Sequence, residues 1–132
     1  MLCESLVHLA ALDDLHLGGN QLEDHGALVV AACLSSLASL KALRIPRNGM
    51  KVEAAQALAK TLPAVVSLET LDVSENPFGD KGLVCLLESL PQLPLLRWLS
   101  LAGLGFSEKG GHKLLPVLKM LTVGGLGYLD AS

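Results

Sequence analysis

The chain has 132 residues, 51% of them hydrophobic and 17% charged, with a formal net charge of −3. So apolar a chain is not disordered, and so few cations provide no sheath for nucleic acid. Its longest wholly apolar run, residues 27–34, is too short to span a bilayer, and the first residues lack the basic region of a secretory leader.

The elements come in a recurring order. LCESL at 2–6 resembles LLESL at 86–90, so Leu2, Leu6 and Leu9 are expected on a helix without a strand before it. Next, Leu12, Leu15, Leu17, Asn20 and Leu22 fit the pattern L-x-x-L-x-L-x-x-N-x-L. Leu40, Leu43, Ile45, Asn48 and Met50 repeat it, as do Leu68, Leu71, Val73, Asn76 and Phe78. A fourth copy has Leu96, Leu99, Leu101 and Phe106, with Leu104 at the asparagine position. Each copy starts 28 residues after the last. Strands are expected near 14–18, 42–46, 70–74 and 98–102. LGYLDAS at 126–132 resembles LETLDVS at 68–74 and reads as the opening of a fifth, 30 residues after the fourth.

The stretches between repeat as well. Apolar columns read Val30, Leu58, Leu86, Leu114; Leu34, Leu62, Leu90, Leu118; and Leu37, Val65, Leu93, Leu121. Spacings of four and three form one helical face. Helices are expected near 25–37, 52–62, 80–90 and 109–121. A small-residue column, Gly26, Ala54, Gly82, Gly110, keeps the same period. Pro63, Pro91 and Pro94 fall at or beyond helix ends, whereas Pro116 falls inside the last helix and is expected to kink or shorten it.

These copies resemble the leucine-rich repeat family, in particular its ribonuclease-inhibitor-like class. That class includes the inhibitor, the C-terminal sensor regions of NOD-like receptors and the repeat domain of the Ran GTPase activator. The resemblance implies an α/β solenoid, a horseshoe segment of about four full repeats, with parallel strands on the concave face and helices on the convex face. The expected divisions are one domain, 1–132: a partial-repeat helix at 1–11, repeats at 12–39, 40–67, 68–95 and 96–125, and the start of another at 126–132. Neither end reads as a polar capping repeat, so a piece of a longer array is expected. The steady asparagine departs from the inhibitor itself, whose units often carry cysteine there.

A strand that turns sharply inward leaves backbone groups facing the core, and one amide side chain supplies both donors and an acceptor for them. Asn20, Asn48 and Asn76 are thus expected as a structural row inside the solenoid. Leu104 makes no such bonds, and with Gly103 and Gly105 beside it the fourth turn is expected to take another path.

Alternate strand residues face away from the core. This puts Asp14, Ala42, Thr70 and Trp98 in one outward column and His16, Arg44, Asp72 and Ser100 in the next. Gly18, Pro46, Ser74 and Ala102 follow, and then Gly19, Arg47, Glu75 and Gly103. The candidate protein-binding residues are Asp14, His16, Arg44, Arg47, Thr70, Asp72, Glu75, Trp98 and Ser100. Trp98 reads either as an exposed anchor, since tryptophan and arginine are enriched at hot spots, or as a cover over the last strand. Three opposite-sign pairs, Lys41–Glu69, Arg44–Asp72 and Arg47–Glu75, are expected across one repeat boundary, for register, recognition or both.

No phosphate loop, zinc spacing or acid–base constellation stands out. GFSEKGGHK at 105–113 reads as a turn and helix entry. His8, His16, His25 and His112 fall on different units. Cys3, Cys33 and Cys85 are scattered and odd in number, which suits a reducing compartment, with Cys33 and Cys85 as buried small hydrophobes. The sequence therefore points to a non-enzymatic, intracellular (cytoplasmic or nuclear) interaction scaffold without a cofactor. It would bind a protein through its strand face, with no nucleic-acid or membrane partner. The alternatives are a GTPase-activator-like regulatory domain and a structural spacer within a larger receptor or scaffold.

Overall fold

The computed structural model describes residues 12–37 and 39–131. Five short strands form one parallel sheet in sequence order: β1 (Asp14–His16), β2 (Ala42–Arg44), β3 (Thr70–Asp72), β4 (Trp98–Ser100) and β5 (Tyr128–Asp130). Parallel neighbours need a crossover, and each crossover carries a helix: α1 (Glu23–Leu34), α2 (Val52–Thr61), α3 (Gly79–Ser89) and α4 (Glu108–Val123). The helices pack on one another in the same order as the strands. Pro63 and Pro91 lie in 3-10 turns, Leu62–Ala64 and Leu90–Gln92, that close α2 and α3.

The strand register places Leu15, Leu43, Leu71, Leu99 and Leu129 in one row. The middle three are fully buried. Ile45, Val73 and Leu101 lie behind them, and Leu58, Leu62, Leu86 and Leu90 close the core from the helices. Each such leucine contributes roughly 1.5–3 kcal/mol through burial, so the leucine columns make this one continuous core. The small-residue column has a steric cause. A Cβ on Gly82 would stand 2.8 Å from the Phe78 Cβ, and one on Gly110 would stand 3.0 Å from the Phe106 Cβ. These glycines let each helix settle on the apolar residue of its own entry turn.

The asparagine row forms at its centre. Asn48 and Asn76 are completely buried. The Asn76 Oδ1 accepts from the Asn48 N–H at 2.9 Å and the Met50 N–H at 3.3 Å. Its Nδ2 donates to the carbonyls of Ile45, Val73 and Ser74. Asn48 bonds likewise to the N–H groups of Asn20 and Leu22 and to the carbonyls of Leu17, Ile45 and Pro46. Asn20 departs from the expected internal row. It is exposed, and among the described residues its amide reaches only the Gly18 carbonyl, at 3.3 Å.

Two further expectations change. The fourth turn keeps the path of the others. Gly103 and Gly105 have φ of +67° and +76°, against +54° and +66° for Arg47 and Gly49. The Leu104 carbonyl accepts from Gly79 as the Asn48 carbonyl accepts from Glu23. The two glycines supply the backbone geometry even though the amide is missing. Pro116 does not shorten its helix, which at 16 residues is the longest among the described residues. Pro116 lies on the exposed side of α4, where water can meet the carbonyl that loses its partner. The helix expected within residues 1–11, with Cys3 and His8, lies outside the described residues.

Candidate functional site

The face opposite the core is built by the residues flanking each central leucine. The register aligns Asp14, Ala42, Thr70, Trp98 and Tyr128, and beside them His16, Arg44, Asp72, Ser100 and Asp130. Asp14 and His16 are exposed, whereas Arg44, Thr70, Asp72 and Trp98 are half-buried. Ser100 is 5% exposed and so offers little to a partner.

Of the three charge pairs expected, one forms. The Arg47 Nε meets the Glu75 Oε2 at 2.5 Å. Arg44 turns the other way, its Nη1 lying 2.7 Å from both Asp14 oxygens. Asp72 is not its partner, because the Asp72 carboxylate folds back to accept from the N–H and hydroxyl of Ser74. Glu69 has Arg97 rather than Lys41 as its ion-pair partner, at 4.0 Å. All these pairs are largely solvated and contribute roughly 0.2–1 kcal/mol each.

Arg47 and Glu75 also share a backbone oddity. Their φ values are +54° and +55°, in the column whose other members, Gly19 and Gly103, are glycine. A side chain in this left-handed region costs about 1 kcal/mol or more relative to glycine. The pair's own attraction does not cover that cost twice over.

Trp98 is not a free-standing anchor. Its ring stacks on Tyr128 with centroids 4.9 Å apart and planes 7° from parallel. Tyr128 is 47% exposed and forms the outer half of the stack. Sequence reasoning missed it as a site residue, although matching LGYLDAS to LETLDVS already puts Tyr128 in the Thr70 column. Between the strand ends, a shallow groove of about 380 Å³ includes His16, Gly18, Arg47, Asp72 and Glu75.

Among the described residues no group of three or more His, Cys, Asp or Glu side chains converges on a metal-sized site. No described helix is long and apolar enough to cross a membrane. The cysteines differ from expectation. Cys33 is buried but disulfide-bonded rather than a free small hydrophobe. Cys85 is a free thiol and only half-buried, because it precedes the core residue Leu86 and so points off the core face.

A leucine-rich-repeat family profile matches residues 66–87. The solved structure of leiomodin-1 actin-binding site 2 aligns over 97% of this chain and 75% of its own, with a TM-score of 0.76 and 16% sequence identity. The fold is of the leucine-rich-repeat type. At that identity the likeness extends to the fold alone. No curated protein matches the chain. Within this leucine-rich-repeat fold, the polar columns and the aromatic stack occupy the strand face, and the helices occupy the other.

Proposed function

We propose that the chain is a non-catalytic interaction domain that binds a protein through its concave strand face. One observation carries the reading: of the four described non-glycine residues with left-handed φ, Gln21, Glu23, Arg47 and Glu75, the last two form an exposed ion pair beside the strand face in a conformation where glycine costs less. Strain of this kind is kept where the surroundings enforce it and function uses it. The Trp98–Tyr128 stack adds a broad aromatic surface beside them. A shallow, polar, open face fits a macromolecule better than a small molecule, which takes a deeper apolar pocket.

The repeat class belongs to this proposal. The 28-residue offsets between ladder asparagines fit the ribonuclease-inhibitor-like units, with repeats at 12–39, 40–67, 68–95 and 96–125. Actin is the first partner to try, because one structural neighbour is named as an actin-binding site. An intracellular setting is also proposed. The Cys33 disulfide counts against it, and a native thiol titration with and without reductant decides that point.

The test is photocrosslinking in cell extract, with a crosslinking amino acid in place of Thr70 or, on the helical side, Gln56. Adducts are expected from the Thr70 site. Trp98→Ala and Arg44→Glu should each reduce their yield about tenfold, the cost of losing one warm contact, with helical circular dichroism unchanged. Specific adducts from the Gln56 site only would overturn the assignment of the concave face.

A further inference from the structure

The convex side carries a second feature that the concave-face reading does not use. Between α3 and α4 lies a groove of about 750 Å³. Val84 and Cys85 form its floor from α3, and Gly110 from α4. Lys81, Lys109, Lys113 and His112 stand around it. All four side chains are exposed, and among the described residues none of the three lysines forms an ion pair. The one carboxylate in the groove, Asp80, accepts from the N–H and hydroxyl of Ser107 and interacts with Lys109, so it offsets one of the three lysine charges and leaves two in excess. In a chain of net charge −3, this local excess of positive charge is out of keeping with the whole.

We propose that this groove binds an acidic segment of a partner protein, at a site separate from the concave face. The charge arrangement decides the class of ligand. Three ammonium groups against the single carboxylate of Asp80 leave an excess of positive charge beside half-buried apolar atoms, which raises the local concentration of anions and favours their contact. The half-buried Val84 and Cys85 select further: an inorganic anion leaves them wet, whereas an acidic segment with an interspersed leucine covers them. The groove lies between one turn of α3, residues 80–85, and one turn of α4, residues 109–113, which is room for a short stretch of peptide. Gly110 brings α4 close to the Asp80 carboxylate, since a Cβ there would collide with it.

The free thiol provides a reporter. Cys85 is the free cysteine among the described residues and lies in the floor. The probe is a fluorescein-labelled peptide of alternating glutamate and leucine, with a lysine–leucine peptide as its control. Binding is read by anisotropy, and occupancy by the rate of Cys85 alkylation with neutral iodoacetamide, localised by mass spectrometry.

The acidic peptide should bind, weaken as salt rises, and slow Cys85 alkylation about tenfold at saturation; the basic peptide should do neither. Lys109→Glu with Lys113→Glu should weaken binding about tenfold or more, as reversal of two partly screened charges implies. Trp98→Ala should leave it unchanged. Binding that does not protect Cys85, binding indifferent to the two lysine reversals, or no binding at low salt would each overturn the proposal.

Discussion

Asp80, on α3, closes the N-terminus of α4 by accepting hydrogen bonds from both the N–H and the hydroxyl of Ser107. Asp24, on α1, does the same for α2, taking the N–H groups of Lys51 at 2.7 Å and Ala54 at 3.3 Å. Neither Lys51 nor Ser107 caps its own helix through its side chain. A carboxylate from one unit therefore supplies the cap that the next lacks, a link between neighbours that also meets the positive end of the helix dipole.

This link sets a pH dependence. The Ser107 hydroxyl, then its N–H, hold the Asp80 carboxyl below its ordinary value of 3.8, with Lys109 adding to the effect. A carboxyl lowered by folding contributes stability above its unfolded pKa and loses it as pH falls through the folded value. Asp80→Asn should thus melt at a lower temperature than the parent at pH 7. The gap should close as both are acidified below about pH 4, near the unfolded aspartate value. Paired melting curves from pH 7 to pH 2.5 check this. A gap that stays constant would mean the carboxylate's charge is not what matters.

Gly110→Ala tests the same junction sterically. Alanine favours a helix by about 1 kcal/mol over glycine. Here, though, its methyl would press on Asp80 and on the Phe106 Cβ. Overpacking typically costs 1–3 kcal/mol, and the cap is displaced as well. The variant should come out about 1 kcal/mol less stable in urea denaturation. A more stable variant would show that Asp80 moves aside freely.

Arg47 and Glu75 set stability against binding. Replacing both by glycine relieves two left-handed side chains and removes one exposed ion pair. The sum favours the variant by about 1 kcal/mol. Crosslinking to the partner through the concave face should nevertheless fall. Equilibrium denaturation and the Thr70-site crosslinking yield, measured side by side, separate the two effects. A double variant that is less stable would mean the pair serves register alone.

The leucine columns, the strand positions and the parallel order were legible because burial imposes a strict period. One residue's shift would turn Leu43 or Leu71 outward, so the pattern leaves little choice. The fifth strand was legible from LGYLDAS even with its spacing of 30 rather than 28 residues. Surface pairings were not. Arg44 has carboxylates within reach on both neighbouring strands, Asp14 and Asp72, and column alignment does not say that Ser74 occupies Asp72 first. Trp98 looked exposed because the partner that covers it, Tyr128, arrives out of period. The groove between α3 and α4 was hidden for a different reason: Lys81 and Lys109 come from separate helices, and only the packing of those helices brings them together.

The asparagine ladder distinguishes depth from mere repetition. Asn48→Ala or Asn76→Ala strips a buried amide and leaves several main-chain groups without partners, at roughly 1–3 kcal/mol each. A net loss of about 3 kcal/mol is expected for either, lowering the melting temperature by roughly 10 °C. Asn20→Ala should cost under about 1 kcal/mol, since that amide is exposed and holds one long bond. Equal losses at all three positions would mean that the row is not ordered as described.

Leu104 carries that reasoning one step further. The turn around it already has the left-handed residues on either side that the asparagine turns at Asn20 and Asn48 have. Leu104→Asn would place an amide where it can accept from the Asn76 N–H and donate to the carbonyls of Val73 and Leu101, as Asn76 does one unit earlier. The change gives up about 2 kcal/mol of leucine burial and gains several buried hydrogen bonds, each contributing about 1 kcal/mol. The variant should therefore stay within about 1 kcal/mol of the parent. An asparagine introduced at Leu99, equally buried but in mid-strand, should cost 3 kcal/mol or more, because its amide finds no partners there. Urea denaturation of the two variants checks the contrast. Equal destabilisation would show that the fourth turn, despite its backbone angles, does not present the groups an amide needs.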